Sequence, residues 1–281
     1  KLGEDSCKAS SNAYELCDLL ALDLPARFVA IIPLLDFESM NLVTNIVSTL
    51  LRPDLAEEVG KRTSSYVCQH PQFFDLLCVD LANQDVALHK GVMLQSCTKR
   101  VEVVKAFLQQ GGVITLLNTI QNGDAVLSYD VFASVQHILM GSKAESSVWL
   151  TLHSGEFFSL LHSILETADY AMQRMVLSLL GTMLLDRAYH QVMLEYVSKL
   201  EYLKIHMNFL RNTSQALRLE AFQVFKIFVV NPKKPVDVKQ VLLKNRIKLV
   251  ELLETMKVTL KEKSPQDAVH VKAVLEKLRD L

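Results

Sequence analysis

Paired apolar residues recur along this chain at nearly constant spacing. Successive pairs lie 42, 40, 44, 49 and 43 residues apart. They are Leu34-Leu35, Leu76-Leu77, Leu116-Leu117, Leu160-Leu161, Phe209-Leu210 and Leu252-Leu253. In every repeat except the one at 203–210, a bulky apolar residue lies four positions before the second member of the pair. This pattern predicts a short amphipathic helix that ends at each pair.

A longer apolar pattern follows each of the first five pairs after a gap of roughly eight residues. The linking segments, such as 82–85, 121–124 and 211–214, are polar and contain Asn, Gly, Ser and Asp. An Asp or Ser just before a helix can cap its free N–H groups. The predicted longer helices are 41–51, 85–97, 125–140, 170–185 and 216–230.

A period of 40 to 49 residues with two or three helices in each repeat is typical of armadillo and HEAT proteins. The helix at 216–230 supports this fold, because ten of the fourteen residues from Leu217 to Val230 are apolar. Neighbouring repeats would cover most of such a helix. We predict an all-α, right-handed superhelix of about six repeats, with residues 1–281 as one domain and 1–20 as an N-terminal cap or partly flexible segment. The longer helices would line its concave surface, and the polar residues of 216–230 would face that groove.

The predicted helix 170–185 has two distinct faces. Its apolar stripe comprises Met172, Met175, Val176, Leu179, Leu180 and Met183. Tyr170, Arg174 and Ser178 follow one another at intervals of four residues on another face. Arg174 is either simply solvated or, with Tyr170, part of a binding surface, since both residue types are enriched at interface hot spots.

Composition excludes several classes of protein. The net charge is −1, so no strong field attracts nucleic acid or anionic lipid, and no apolar run is long enough to span a membrane. The chain has five cysteines, an odd number, and no C-x-x-C motif. This pattern is typical of reduced thiols in the cytoplasm. We expect a cytoplasmic protein that binds neither nucleic acid nor membrane.

Motifs for catalysis and cofactor binding are missing from the sequence. No two of the eight histidines are three or four positions apart, and no H-E-x-x-H, phosphate-binding glycine loop or G-x-S-x-G occurs. We therefore expect no metal, no cofactor and no enzymatic activity. An active site dispersed along the chain would escape this search, so an enzyme stays a rival hypothesis.

Three stretches resemble one known family. They are LLGTMLLDR from Leu179, EAFQVFKIFVVNP from Glu220 and VLLKNRIKL from Val241. In order and spacing they are similar to the mouse protein 25 family, also called calcium-binding protein 39. Weaker matches at Leu35-Asp36-Phe37-Glu38 and at DVALHKGVML from Asp85 extend the resemblance to roughly residues 28–281.

The resemblance implies an armadillo-like scaffold without catalytic activity. Members of the family bind a STRAD-type pseudokinase and, through it, activate a liver-kinase-B-type kinase. They also bind germinal-centre (sterile-twenty-type) kinases, and a pocket near the C-terminus takes a W-E-F-type tail. We expect this chain to be a kinase-binding scaffold and allosteric activator that is monomeric in isolation. The rival is an armadillo adaptor that docks peptides or cytoskeletal partners without activating a kinase.

The resemblance also implies site residues. The partner-binding Tyr and Arg of the family's concave face correspond to Tyr170 and Arg174, and the Arg that closes L-L-D-R is Arg187. The Met of the tail pocket corresponds to Met207, with Lys204 and Arg211 on either side. Without the resemblance, the pattern favours a core residue, because Leu203, Met207 and Leu210 share one face of the predicted helix.

Three positions depart from the family pattern. A groove aromatic is replaced by Ala125, a groove Lys by Ser178, and a Phe after L-L-D-R by His190. Loss of an aromatic and a charge would cost on the order of 1–3 kcal/mol if these positions are hot spots. These departures affect the identity of the partner more than the fold.

Overall fold

The computed structural model describes residues 20, 22–52, 57–81, 83–123, 125–263 and 265–281. Apart from Leu20, the predicted N-terminal segment 1–20 lies outside the described residues. The described residues are organised in α-helices and short 3-10 turns, with no strand among them. They form two compact units, one ending at Ala168 and the other beginning at Asp169. Assignment of both units to one domain stays a prediction.

The first unit contains nine helices within its described residues. They are α1 (Leu24–Ile31), α2 (Phe37–Leu50), α3 (Glu57–Gln69), α4 (Gln72–Cys78), α5 (Gln84–Cys97), α6 (Val101–Gln109), α7 (Gly112–Asn122), α8 (Ala125–Gly141) and α9 (Lys143–Thr167). A 3-10 turn, Ile32–Leu34, follows α1.

Helices of the first unit pack in three layers. The long helices α2, α5 and α8 lie side by side, α4 packs between α1 and α7, and α6 packs between α3 and α9. The core is rich in fully buried aromatic rings, including Phe74 and Phe107, whose centroids are 5.3 Å apart in an edge-to-face arrangement. Repetition of the same three-helix unit is the armadillo pattern, and the predicted all-α helical-repeat fold is confirmed.

The second unit contains seven helices within its described residues. They are α10 (Tyr170–Leu185), α11 (His190–Tyr196), α12 (Leu200–Phe209), α13 (Gln215–Val230), α14 (Val236–Lys244), α15 (Arg246–Lys263) and α16 (Pro265–Arg279). A 3-10 turn, Arg187–Tyr189, precedes α11.

Helix α13 lies at the centre of the second unit. It packs against α10, α12 and α16, so its apolar residues contact helices on several sides. Ala221, Phe222, Phe225 and Phe228 have no exposed surface. The helix ends at Val230 because the next residue, Asn231, precedes Pro232, and a residue before proline disfavours the helical conformation.

Agreement between predicted and observed helices is best for the long ones. The predicted helix 170–185 is α10 itself, and 85–97, 125–140 and 216–230 match α5, α8 and α13 to within one residue at either end. Asn83 and Ser214 cap α5 and α13 through their side chains, as the linking segments predict. Asp124, the corresponding residue before α8, lies outside the described residues.

The prediction that each apolar pair ends a short helix is wrong for three pairs. Leu160-Leu161 lies inside α9, a helix of 25 residues, and Leu116-Leu117 and Leu252-Leu253 lie within α7 and α15. In these three pairs, leucine side chains contact the core. The end of a helix is determined instead by helix-breaking residues and by capping residues. Helix α9 contains no proline that would end it between Lys143 and Thr167.

One buried histidine makes the first unit sensitive to pH. His162 on α9 is 6% exposed, and its ring stacks on Phe158 with 6.2 Å between centroids. Burial lowers the pKa of His162 from 6.5 to about 4, because the imidazolium form would lose its hydration. In the unfolded chain the same imidazole takes up a proton near its ordinary pKa.

We predict that the free energy of unfolding falls by roughly 3 kcal/mol as the pH drops from about 6.5 to about 4 because of His162. In that range the unfolded chain binds a proton that the folded chain does not, so protonation favours unfolding. The contribution is fully present above pH 6.5. Urea unfolding at several pH values measures it, and His162→Gln should flatten the slope. His137→Gln, a change at an exposed histidine of α8, is the control. An equal slope in wild type and His162→Gln would contradict the assignment.

Candidate partner-binding surface

Tyr170 and Arg174 lie on the solvent-facing side of α10. Asp169 caps this helix by accepting a hydrogen bond from the backbone N–H of Met172 at 3.0 Å, which fixes Tyr170 as the first helical residue. Tyr170 is 50% exposed, and the side chain of Arg174 is 57% exposed. The helical spacing therefore places both residues on the surface, one turn apart, as predicted.

The buried stripe of α10 differs from the prediction at one position. Met172, Val176, Leu179, Leu180 and Met183 are buried, but Met175 is only half-buried. Leu177 is fully buried instead. The reason is that α10 packs against both α11 and α13, which widens the buried face beyond a single stripe.

Glu220 of α13 holds the guanidinium of Arg174. The distance from Arg174 Nε to Glu220 Oε1 is 3.8 Å, and the Glu220 side chain is 24% exposed. The two helices come close together because α10 has a glycine opposite α13. A Cβ at Gly181 would lie 3.3 Å from the Cβ of Gln223, tighter than most side-chain contacts. Arg174 is therefore neither freely solvated nor buried but held at the edge of a helix contact.

A network of polar side chains continues from Glu220 across the unit. The amide of Gln223 donates to Asp267 on α16 at 3.0 Å, and the ammonium of Lys226 donates to the Gln223 side-chain oxygen. We name these residues the polar strip: Arg174, Glu220, Gln223, Lys226 and Asp267. It joins three helices of this unit, α10, α13 and α16.

Burial changes the acid–base behaviour of the strip. It raises the pKa of Glu220, and the charge of Asp267 adds to this, whereas Arg174 acts in the opposite direction. Burial also lowers the pKa of Lys226, opposed by Asp267. Burial thus disfavours the charged forms of Glu220 and Lys226, and the charges of Arg174 and Asp267, respectively, favour them.

The other positions that the resemblance singles out fall on different elements. Arg187 opens the 3-10 turn and is exposed, and His190 at the start of α11 is exposed as well. Ser178 is half-buried on α10. Ala125 is the first residue of α8, and its side chain lies outside the described residues.

Lys204, Met207 and Arg211 form a second group at the α12 end of the unit. Lys204 and Arg211 are exposed, and Met207 between them is half-buried. Arg211 follows the last turn of α12, where its backbone N–H donates to the carbonyl of Asn208 at 3.0 Å. An apolar side chain with a cation one turn to either side is thus accessible from solvent.

The predicted shared face of Leu203, Met207 and Leu210 is only partly correct. Leu203 and Leu210 are fully buried, but the third fully buried residue of this face is His206. His206 is accommodated because the Tyr196 hydroxyl lies 2.7 Å from its Nε2. This hydrogen bond satisfies one nitrogen of the buried ring, and Met207 lies at the edge.

The sequence pattern revealed neither the pairing of Glu220 with Arg174 nor the place of Asp267 in the polar strip. Glu220, Gln223 and Lys226 stand out in sequence as polar residues within an apolar helix, but the pairing of Glu220 with Arg174 does not. Asp267 carries no local signal, since it lies 44 residues from its partner Gln223. The prediction that the polar residues of α13 face the groove is thus refined: they are half-buried, and Glu220 and Gln223 pair with the neighbouring helices.

A search for metal and membrane sites in the described part of the chain gave two negative findings. No group of three or more His, Cys, Asp or Glu side chains among those residues is arranged to hold a metal ion. None of the described helices combines the length and the apolar character that a membrane span requires.

Comparison with solved structures supports the fold. An engineered protein whose crystal structure was determined by the Northeast Structural Genomics Consortium superposes with a TM-score of 0.55. The match covers 91% of this chain and 96% of that chain at 13% sequence identity, so the likeness concerns the fold alone.

Comparison with curated sequences finds relatives along most of the chain. A Mo25-like protein of Schizosaccharomyces pombe is 34% identical over 82% of this chain and 70% of its own length. Calcium-binding protein 39-like of Homo sapiens is 30% identical over 94% of this chain and 77% of its own length. The family model described as Mo25-like matches residues 3–275. The chain belongs to the Mo25-like family.

Proposed function

We propose that this protein is a non-enzymatic scaffold that binds a kinase or pseudokinase domain on the face of α10, α13 and α16. The expected partners are a STRAD-type pseudokinase and a liver-kinase-B-type or germinal-centre kinase. The observation that carries the proposal is the exposure of Tyr170 and Arg174 on one face of α10, with Arg174 held by Glu220. The resemblance implies that Tyr170 and Arg174 correspond to the residues with which the family contacts its partner.

The polar strip would favour one orientation of the guanidinium on this face. Glu220 lies 3.8 Å from Arg174 Nε, so the ion pair restrains the exposed guanidinium weakly and reduces only slightly the conformational entropy lost on binding. Tyr170 adds a flat ring beside the cation, and both residue types concentrate binding energy at interfaces. The guanidinium can donate hydrogen bonds to a carboxylate of the partner or stack on one of its aromatic rings.

Activation would follow from selective binding. A face that fits one arrangement of the kinase better than another increases the population of the favoured arrangement. The shift is limited by the difference in affinity for the two arrangements, and about 5.5 kcal/mol would be needed to invert a 1:99 ratio. A scaffold that binds both arrangements equally would be an adaptor without effect on activity.

The second group, Lys204, Met207 and Arg211, would bind a short tail of the partner. Met207 is a flexible, polarisable side chain suited to a pocket for an aromatic residue. Lys204 and Arg211 can pair with the Glu and the terminal carboxylate of a W-E-F-type tail. The exposure of both cations and the partial burial of Met207 support this role over that of a core residue.

Arg174→Ala should weaken binding of the kinase or pseudokinase domain at least tenfold, or about 1.4 kcal/mol, without unfolding the scaffold. The melting temperature should change by no more than about 2 °C, because Arg174 is largely exposed and its ion pair contributes little. Glu220→Gln should weaken binding less, because the guanidinium stays but loses its fixed orientation. Calorimetric titration against the partner domain measures both. Arg27→Ala, a change at an exposed arginine of α1, is the control.

Kinase activity measured with and without the scaffold separates activator from adaptor. Unchanged affinity together with lower stability in Arg174→Ala would assign this residue a structural role. If Arg174→Ala binds the partner tenfold more weakly but the wild-type scaffold does not change kinase activity, the result would favour the peptide or cytoskeletal adaptor.

Met207→Ala should abolish binding of a peptide that ends in W-E-F, which we expect to bind with a dissociation constant on the order of micromolar. The change should reduce stability by at most ~2 kcal/mol, since a half-buried Met loses less than a fully buried one. Titration of the peptide by calorimetry measures the affinity. Met140→Ala, a change at a half-buried Met of α8, should leave binding intact.

Two outcomes would contradict this second site. The first is no heat of binding and no competition between the peptide and the full-length partner. The second is equal binding to wild type and Met207→Ala.

A further inference from the structure

A cleft in the first unit presents one carboxylate and several hydrogen-bond acceptors. It has a volume of about 860 Å³ and lies where the end of α4, the C-terminal half of α7 and the start of α8 meet. Among the described residues that line it, Asp80 alone is charged. None of these lining residues belongs to the two groups described above for partner binding.

Asp80 lies in the short segment 79–81 that follows α4, and it is exposed. Its φ of 54° is in the left-handed region, which Asp and Asn adopt more readily than most other residues. Lys90 of α5 holds this segment from the core, because its buried ammonium donates to the carbonyl oxygen of Val79 at 2.8 Å. The backbone that carries Asp80 is therefore fixed on one side by a hydrogen bond to the core.

The polar side chains of α7 offer mainly acceptors to the cleft. Thr115 and Thr119 donate their hydroxyl protons to the carbonyl oxygens four residues earlier, at 3.2 and 3.0 Å. Asn122 donates its side-chain amide to the carbonyl oxygen of Asn118 at 3.0 Å. The hydroxyls keep their lone pairs, and Asn122 keeps its side-chain oxygen. The exposed Asn118 side chain, one turn earlier, adds another amide oxygen.

A carboxylate among acceptors suits a group that can only donate. The ammonium of Lys and the guanidinium of Arg carry a positive charge and several N–H donors but no acceptor. An anion would instead be repelled by Asp80. A cleft with a single carboxylate is also a poor metal site, and no group of metal ligands was found among the described residues.

The floor of the cleft is apolar. Leu81, Ile120 and Val131 line it, and each is at most 7% exposed. An aliphatic stem can pack on such a surface while the charged group at its end stays in contact with water. A ligand with a cation at the end of an apolar stem therefore matches both parts of the cleft.

Lys90 offsets part of the attraction for a cation. It does not line the cleft, but the charge of Asp80 raises the pKa of Lys90 against the larger opposite effect of burial, so the two groups interact. Asp75, exposed on α4, adds a second negative charge that acts on Cys78 at the edge of the cleft. The two aspartates outnumber the lysine. The local charge thus favours a cation, with an affinity on the order of millimolar.

We propose that this cleft binds an ammonium or guanidinium group on an apolar stem. The group is either the side chain of a Lys or Arg in a protein segment or a small free amine. Asp80 pairs with the cation, the side-chain oxygens of Asn118 and Asn122 accept its hydrogen bonds, and the apolar floor contacts the stem.

Titration of the whole chain with the peptide acetyl-Ala-Ala-Lys-Ala-Ala-amide, followed by amide NMR, tests the proposal. The side-chain amide signals of Asn118 and Asn122 and the backbone signal of Asp80 should shift in a saturable way. The same peptide with norleucine in place of Lys keeps the stem without the charge. It should bind at least about fivefold more weakly.

A parallel titration with n-butylamine, which reproduces the Lys side chain without a backbone, distinguishes the two sources. Weaker binding of the amine than of the Lys peptide indicates a protein segment. Equal binding indicates a free amine.

Asp80→Asn should weaken binding of the Lys peptide at least about fivefold, because it removes the charge and keeps the size of the side chain. Asn also tolerates the left-handed conformation, so the variant should melt within about 2 °C of wild type. Asp75→Asn is the matched control, since it removes a nearby charge that does not line the cleft. It should change the affinity less than about twofold. Asn118→Lys places an ammonium of the chain itself at the cleft and should abolish binding.

Any of three results overturns the proposal. The Lys peptide causes no saturable shift, the Lys and norleucine peptides bind equally well, or Asp80→Asn binds the Lys peptide as tightly as Asp75→Asn does. If Asp80→Asn does not fold, the exposed position of Asn118 provides the decision. Undiminished binding by Asn118→Lys would then exclude this cleft as the site.

Discussion

Helix α13 is packed between α10 and α16, and this packing governs the second unit. A helix covered on two sides cannot leave all its polar residues in water, so those at the contact edges need partners on the neighbouring helices. Glu220 finds Arg174 on α10, and Gln223 finds Asp267 on α16. The apolar contacts bring the helices together, and the polar strip then fixes which turn lies opposite which. The orientation of Arg174 is thus a consequence of core packing.

The sequence predicts the long helices well and the partners across helices poorly. The bounds of α10 agree at both ends, because a repeating apolar stripe gives the period and Asp169 marks the start. The period gives the face on which a residue lies but not the neighbour that it meets. The pairing of Gln223 with Asp267 depends on how two helices pack, and nothing within either helix specifies it.

The α12 region shows how one polar residue can shift a predicted face. Leu203, His206, Met207 and Leu210 all lie on the same side of the helix by spacing, and hydrophobicity favours Met207 for the core. The structure buries His206 instead, because the Tyr196 hydroxyl supplies the hydrogen bond that a buried imidazole needs. Burial also raises the pKa of Tyr196 well above its ordinary value, which keeps the hydroxyl protonated. A pattern of apolar residues cannot reveal such a pair, since the two rings come from different helices.

An exposed arginine and a half-buried one illustrate a common rule with different consequences. Arg174 has a carboxylate at 3.8 Å, and its exposed side faces solvent. A partner that covers this side would exclude water and strengthen the existing pair, because Coulomb attraction increases as the surrounding dielectric falls. Arg100 has only a carbonyl oxygen, and its buried Nε has no acceptor. Covering Arg174 would thus strengthen an ion pair that the fold already provides, whereas the half-buried guanidinium of Arg100 is bound by a neutral carbonyl oxygen.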